Sequence, residues 1–125
     1  MIIELKPYSN KPIYEQLILE IKRGIIIGEL QPGESLPSVR SLAADIGINM
    51  HTVNKVYKYL QQESVLVKEK SGFIVNPNET LTQTPELEEA FKEQLRELII
   101  EKNLYQITDE KLLQMMKDIQ KEFLK

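Results

Sequence analysis

Residues 50–60 combine an apolar stripe with side chains that could recognise the edges of DNA bases. Val53, Val56 and Leu60 recur there at helical spacing, which predicts a helix with one buried face. On the opposite face, Asn can pair with adenine through two hydrogen bonds, and Lys can pair with guanine or with phosphate. An ordinary solvated surface could have the same composition. The side chains predicted to point outward are Met50, His51, Asn54, Lys55 and Lys58.

A sharp turn should connect this helix to the one before it. Ala43 lies four residues before Gly47, and a helix-turn-helix needs a small residue where its helices touch and a glycine where the turn takes a positive φ. Asn49 can cap the second helix, for which we predict about residues 50–62. The first helix should occupy about residues 37–46. The same spacing could belong to an ordinary helical corner.

Two residues at the start of the earlier helix are suited to holding a phosphate group. Ser38 and Arg40 place a hydroxyl and a guanidinium at a helix N-terminus, where backbone N–H groups and the helix dipole favour anions. Ser38 could also cap the helix, and the two roles are compatible.

Three further patterns surround this pair of helices. An apolar face predicts a helix that begins near Lys11, with Asn10 as its cap, and ends at Gly28. Residues 31–34 have Pro and then Gly at their central positions, which favours a type II turn. Two short β-prone runs within residues 65–75 predict a hairpin. A hairpin directly after the second helix is typical of the winged variant of the helix-turn-helix.

Composition and charge narrow the class of protein. Hydrophobic residues make up 42% of the chain and charged residues 28%, as in a soluble globular domain. The absence of cysteine excludes disulfides, and the start of the chain lacks a signal-peptide pattern, so we expect a cytoplasmic protein without a membrane segment. The net charge of −3 is unevenly distributed. Residues 1–75 hold 9 basic and 8 acidic side chains, whereas residues 76–125 hold 7 and 11, which separates the acidic part from an anion-binding surface.

The end of the chain predicts a pair of helices whose apolar faces must be covered by other protein surface. Residues 1–76 form the predicted winged helix-turn-helix domain, residues 77–84 a linker, and residues 85–125 two amphipathic helices. Two helices this short cannot enclose a core that offsets the entropy of ordering them. We expect a second copy of the chain to cover them, because a two-fold dimer doubles the DNA contacts; packing entirely onto their own domain is the alternative. The expected dimer contacts are Leu87, Phe91, Leu95, Leu98, Ile99, Leu112, Met116, Ile119 and Phe123.

A series of short motifs runs through residues 7–75: Pro12-Ile-Tyr-Glu-Gln16, Gly28-Glu-Leu-Gln-Pro-Gly33, Leu36-Pro-Ser-Val-Arg40, Leu42-Ala43, Gly47-Ile-Asn49, Thr52-Val53 and Tyr57. In this combination the motifs resemble the winged-helix domain of GntR-family transcription regulators. The resemblance implies that the arginine at position 40 contacts DNA. The short tail is similar to the YtrA-type branch, whose members lack the large effector domain of other GntR proteins. That likeness implies homodimerisation through the tail and control of a neighbouring transporter operon.

Two features depart from the family pattern. Met50 and His51 stand where this branch often has Pro and Asn. The wing at residues 68–73 is shorter than the usual loop with a Gly-x-Gly sequence, so its reach into DNA stays open, and its lysines could equally serve solubility. The full set of expected DNA contacts is Ser38, Arg40, Asn49, Met50, His51, Thr52, Asn54, Lys55, Lys58, Lys68, Lys70 and Gly72.

No arrangement of residues predicts catalysis, a cofactor or a metal site. His51 is the only histidine, and without cysteine it cannot form a metal site alone. No phosphate-cradling glycine loop or supported nucleophile–base set is present in the sequence. We therefore expect a protein that is not an enzyme.

Tyr57 should pack in the core, although its hydroxyl could instead reach a phosphate.

The sequence thus predicts a mainly α fold with a small β-hairpin wing: a winged helix-turn-helix followed by a two-helix dimerisation region. We expect a homodimeric, sequence-specific regulator that represses an operon by binding a pseudo-palindromic operator in double-stranded DNA. One alternative is a winged-helix module that binds proteins. A non-specific architectural binder is disfavoured, because the nearly neutral N-terminal half supplies too little charge for affinity through phosphates alone. The effector, the operator sequence, the regulated genes and the sign of regulation cannot be read from the sequence.

Overall fold

A computed structural model describes residues 3–78 and 81–124, which divide into two compact units between Leu81 and Thr82. Within these residues, no helix has both the length and the apolarity needed to cross a bilayer. The N-terminal unit contains α1 (Ile13–Ile26), α2 (Val39–Ile46), α3 (Met50–Gln62), β1 (Leu66–Glu69) and β2 (Gly72–Val75). The C-terminal unit contains α4 (Pro85–Leu104), α5 (Asp109–Gln120) and a 3-10 turn (Lys121–Phe123). The predicted fold class, a winged helix-turn-helix followed by two helices, is confirmed.

The first helix begins two residues later than the sequence predicted. Pro12 holds the N-cap position of α1 without a side-chain hydrogen bond, so the predicted cap at Asn10 is wrong. The segment before α1 is held by Gln16 instead. Its side chain accepts a hydrogen bond from the backbone N–H of Lys6 at 2.7 Å and donates to the carbonyls of Lys6 and Lys11 at 2.9 and 2.8 Å. A long-range amide thus fixes the segment that leads into α1.

The turn between α2 and α3 has the geometry that the sequence predicted. Gly47 adopts a left-handed conformation with φ 70°, and its N–H donates to the carbonyl of Ala43. The side chain of Ala43 is buried where the two helices meet. At the start of α3, Asn49 Oδ1 accepts a hydrogen bond from the N–H of His51 at 2.7 Å. At the start of α2, Ser38 Oγ caps the helix in the same way. Both N-termini are therefore fixed by their own side chains.

The hydrophobic core joins α1, α2, α3 and the hairpin. Each fully buried aliphatic side chain contributes about 1.5–3 kcal/mol through the hydrophobic effect, so the core accounts for most of the stability of this unit. The side chains with the least exposure come from α1, α3 and β1: Leu17, Ile21, Val53, Val56, Tyr57, Leu60 and Leu66.

The hairpin carries a third extended segment that the sequence did not reveal. β1 and β2 are antiparallel and joined by a two-residue turn. An isolated bridge pairs Ser35 with Ile74, and the N–H of Leu36 donates to the carbonyl of Phe73 at 2.9 Å. The predicted type II turn precedes this segment, with Gly33 at φ 81°. These bonds attach the wing to the chain that leads into α2.

In the C-terminal unit, each helix is capped by a threonine. Thr84 Oγ1 accepts a hydrogen bond from the N–H of Leu87 in α4, and Thr108 does the same at α5. No apolar residue of α4 or α5 is buried in the described residues. Among residues 82–124 the one buried side chain is Lys102, whose Nζ lies 2.7 Å from Asp109 Oδ1. The hydrogen bond and the charge of Lys102 lower the pKa of Asp109.

Tyr57 packs in the core, as predicted, and its hydroxyl links α3 by a hydrogen bond to the segment just before α2. The side chain is fully buried, and its hydroxyl donates to the carbonyl of Pro37 at 2.8 Å. Its ring meets Phe73 of β2 edge-on at 5.2 Å between centroids. Burial raises the pKa of Tyr57. Because the hydroxyl already has an acceptor inside the unit, this bond favours the core role over a phosphate contact.

The substitution Tyr57→Phe should measure how much this hydrogen bond contributes to the stability of the protein. It removes the donor but keeps the ring, and it leaves the carbonyl of Pro37 without this partner. We expect the free energy of unfolding to fall by about 1–2 kcal/mol in urea titrations. The matched control is Tyr8→Phe, because Tyr8 is 98% exposed and should leave the urea midpoint unchanged. Equal midpoints for Tyr57→Phe and the wild type would contradict the structural role of the bond.

Candidate nucleic-acid interface

The outward face of α3 holds the predicted contact residues along one side of the helix. Met50 is 42% exposed at the first position, and His51, Lys55 and Lys58 are also exposed. Asn54 is half-buried, so its amide lies at the edge of this face. The opposite side of α3 is closed by the core. The helix can therefore present these five residues to a groove without exposing apolar surface of its own core.

The start of α2 adds one cationic side chain and one hydroxyl to this surface. Ser38 accepts the N–H of Ser41 at 3.0 Å, and its hydroxyl hydrogen stays available as a donor. Arg40 is exposed, and within the described ranges its guanidinium forms no ion pair or hydrogen bond. Asn49 uses Oδ1 for capping, which leaves its NH2 group free to donate. Thr52 is half-buried on α3.

The wing has one constrained lysine and one exposed lysine. The Nζ atom of Lys68 lies 4.5 Å from the centroid of the Phe73 ring, a cation–π contact that holds the side chain against the hairpin. Lys70 is exposed in the two-residue turn. Gly72 has φ 153° and an ideal Cβ there would meet no atom within 4 Å. The structure thus places Lys70 at the tip of the short wing; contact of the wing with DNA stays a prediction.

Glu63, at the C-terminal end of α3, is paired with neighbouring side chains. Glu63 Oε1 lies 2.8 Å from Lys22 Nζ, and Glu63 Oε2 accepts a hydrogen bond from the hydroxyl of Tyr59 at 3.0 Å. That hydrogen bond is the largest cause of a raised pKa at Tyr59, with burial adding to it. Since residues 38–75 hold 5 basic and 3 acidic side chains, pairing one acid with α1 leaves the surface more cationic.

A groove between α1 and α3 brings in residues that the sequence did not single out. It encloses about 550 Å³ beside the outward face of α3. Three of its lining residues, Thr52, Lys55 and Lys58, were predicted as DNA contacts. Tyr14 and Gln62 were not, because no local spacing connects a tyrosine of α1 with the last turn of α3. The lining residues are Tyr14, Thr52, Lys55, Lys58, Tyr59 and Gln62.

Comparison with known proteins gives consistent matches. The family model described as bacterial regulatory proteins, gntR family, matches residues 13–75. The chain is 37% identical over 119 residues to the HTH-type transcriptional repressor YtrA of Bacillus subtilis strain 168, which covers 94% of this chain and 92% of that one.

Two solved structures are also similar. YtrA from Sulfolobus acidocaldarius, described as a GntR-family transcription factor, has 37% identity and a TM-score of 0.62, over 84% of this chain and 99% of that one. A structure described as a transcriptional antiterminator from Listeria monocytogenes EGD-e has 26% identity and a TM-score of 0.91, over 98% and 92% of the two chains.

Removal of the Arg40 side chain should weaken DNA binding without unfolding the protein. Because the guanidinium is exposed and unpaired within residues 3–78 and 81–124, Arg40→Ala should leave the melting temperature unchanged. Loss of a charge-assisted contact should weaken binding to a selected duplex by about 1–3 kcal/mol in fluorescence anisotropy. Arg23→Ala is the control, since Arg23 is exposed on α1 and outside the predicted contacts. Equal affinities of Arg40→Ala and the control would remove Arg40 from the interface.

Exchange of the first outward residues of α3 should change base preference. A variant altered at Met50, His51 and Asn54 should select a different consensus from random duplexes, because these are the side chains expected to meet the base edges. Lys58→Ala should instead weaken all sequences about equally and reduce the salt slope by about 1. Recovery of the wild-type consensus by the triple variant would show that α3 does not read the sequence.

Proposed function

Because this chain belongs to the GntR family of bacterial regulatory proteins and is a DNA-binding transcription regulator, we propose that it acts as a homodimeric repressor on a pseudo-palindromic operator. The observation that carries the proposal is the two-sided character of α3. Val53, Val56 and Leu60 are fully buried on one side, while the other side exposes His51 and Lys55. A helix fixed by its buried face can hold its polar face in one orientation toward DNA.

In the proposed complex, α3 lies in the major groove with its N-terminal residues at the base edges. Asn54 is suited to adenine and Lys55 to guanine or phosphate. Ser38 and Arg40 contact the sugar-phosphate backbone beside the N-terminus of α2, which fixes the register of the domain on the duplex. Affinity should fall as the salt concentration rises, because each neutralised phosphate releases counterions.

The homodimer part of the proposal rests on the apolar stripe of the C-terminal unit. Phe91 is 59% exposed on α4, and Ile119 is 52% exposed on α5. Leu112 and Phe123 are half-buried. A stripe this long in water is typical of an interface with another chain. The remaining exposed members of the predicted interface are Leu87, Leu95, Leu98, Ile99 and Met116.

A two-fold dimer accounts for repression by occlusion. Two copies of α3 would read two half-sites about 34 Å apart, or a multiple of that distance, along the helix axis. Tethering the two contacts raises the affinity for a full operator above that for either half-site. A relative that covers nearly the whole chain is named as a repressor, which supports the same sign of regulation here. No catalytic step forms part of the proposal.

The test of sequence-specific binding uses the DNA upstream of the gene that encodes the protein. In a gel shift at moderate salt, the upstream duplex should be retarded at a protein concentration that leaves a scrambled duplex of equal length free. Equal retardation of both duplexes would indicate a non-specific binder. Retardation of neither duplex, together with a selection from random DNA that enriches nothing, would favour a protein-interaction module.

Charge placed in the stripe should separate the dimer. Leu95→Asp would bury an unpaired carboxylate in the proposed interface, at a cost of several kcal/mol, so sedimentation should show a monomer. The control is Ile100→Asp, because Ile100 is 68% exposed on α4 and lies outside the predicted stripe; this variant should stay dimeric. Dimers of equal strength for both variants would place the interface elsewhere.

A further inference from the structure

The groove between α1 and α3 has a wall that is fixed by a network of side chains. The ring of Tyr14 on α1 meets the ring of Tyr59 on α3 edge-on, with 6.2 Å between centroids and 68° between planes. The hydroxyl of Tyr59 donates to Glu63 at 3.0 Å. Lys22 forms a 2.8 Å ion pair with Glu63, and its Nζ lies 5.9 Å from the Tyr59 centroid. These contacts leave Tyr59 and Glu63 occupied and hold Tyr14 in place.

The remaining polar groups of the groove are donors without partners. Within the described residues, the hydroxyl of Tyr14 forms no hydrogen bond, and Lys55 and Lys58 form no ion pair. Thr52 and Gln62 complete the polar lining. A hydroxyl and two ammonium groups together form a donor set that suits a phosphate group, whose oxygens accept charge-assisted hydrogen bonds. Among the described residues no acid lines the groove, and the charge of the neighbouring Glu63 is balanced by Lys22.

The position of the groove decides which phosphate it meets. Lys55 and Lys58 belong both to the groove and to the outward face of α3. If α3 occupies the major groove, as in the function proposed above, the α1 side of the helix faces one of the flanking DNA strands. We propose that this groove binds a backbone phosphate of that strand, with the Tyr14 hydroxyl as a donor beside Lys55 and Lys58. The inference rests on the proposed function and extends its footprint to α1.

This contact orients the domain and reads no base. A phosphate is the same at every position of the duplex, so the groove contributes to affinity and register but not to sequence preference. Tyr14 is rigid before binding because its ring rests on Tyr59. A rigid donor loses little freedom when the phosphate arrives, which favours tight contact.

The test removes the Tyr14 hydroxyl and keeps the ring. Tyr14→Phe should weaken binding to a selected duplex about 3- to 10-fold, the effect of one lost hydrogen bond, with the consensus, salt slope and melting temperature unchanged. Tyr105→Phe is the control, because Tyr105 is 70% exposed in the C-terminal unit, and its affinity should equal that of the wild type. A folded Tyr14→Phe variant with wild-type affinity would overturn the proposal.

Replacing single phosphates of the duplex by uncharged methylphosphonates should locate the phosphate that Tyr14 contacts. Duplexes carrying a single methylphosphonate, scanned along both strands, should reveal one position per half-site where the loss of affinity is smaller for Tyr14→Phe than for the wild type, because the variant has already lost one contact to that phosphate. If the losses of binding free energy caused by the methylphosphonate and by Tyr14→Phe were additive at every position, the assignment would be overturned.

The same variants distinguish a DNA phosphate from a free anion. DNA-free wild-type protein is titrated with inorganic phosphate at constant ionic strength, with nuclear magnetic resonance of the tyrosine rings as the readout. Saturable phosphate binding that Tyr14→Phe abolishes, with an unchanged DNA affinity, would overturn the DNA assignment in favour of a soluble phosphorylated ligand. Failure of the wild type itself to select any duplex would contradict the proposed function, and the proposal would fall with it.

Discussion

The complete burial of one face of α3 is the constraint on which the rest of the structure depends. Val53, Val56 and Leu60 have no exposed surface, and the period of an α-helix then fixes where every other side chain of α3 points. The hydroxyl of Tyr57 adds a bond to the carbonyl of Pro37 just before α2. The core, together with this hydrogen bond, therefore holds in one geometry the face of α3 that is proposed to read DNA and the start of α2 that is proposed to meet phosphate.

The two units differ in how much apolar surface each of them buries. The N-terminal unit has an apolar core of its own, whereas α4 and α5 bury no apolar residue, and the one buried side chain among residues 82–124 is the charged Lys102. A unit that hides so little apolar surface gains little from folding alone. In the proposed dimer its stability would depend on protein concentration, and so would operator binding, because the second half-site contact exists only when two copies are joined.

The sequence was informative wherever a structure depends on neighbours within one helical turn. The bounds of α3, its Asn49 cap and the left-handed Gly47 all follow from such local rules, and so does the outward face of α3. The missed features depend on residues that are far apart in the chain. Gln16 fixes the segment before α1 by bonding to Lys6, ten residues away. The Ser35–Ile74 bridge, the Lys102–Asp109 ion pair and the Tyr14 groove have the same character, because no spacing in the sequence marks a pair that meets only after folding.

The central claim is that two copies of α3 read DNA from the major groove, and methylation protection tests it most directly. Dimethyl sulfate modifies guanine N7 in the major groove and adenine N3 in the minor groove. The bound protein should protect guanine N7 in two patches about 10 base pairs apart, or a multiple of that spacing, on one face of the duplex. Protection of adenine N3 alone, or a single patch of protection at saturating protein, would contradict the account.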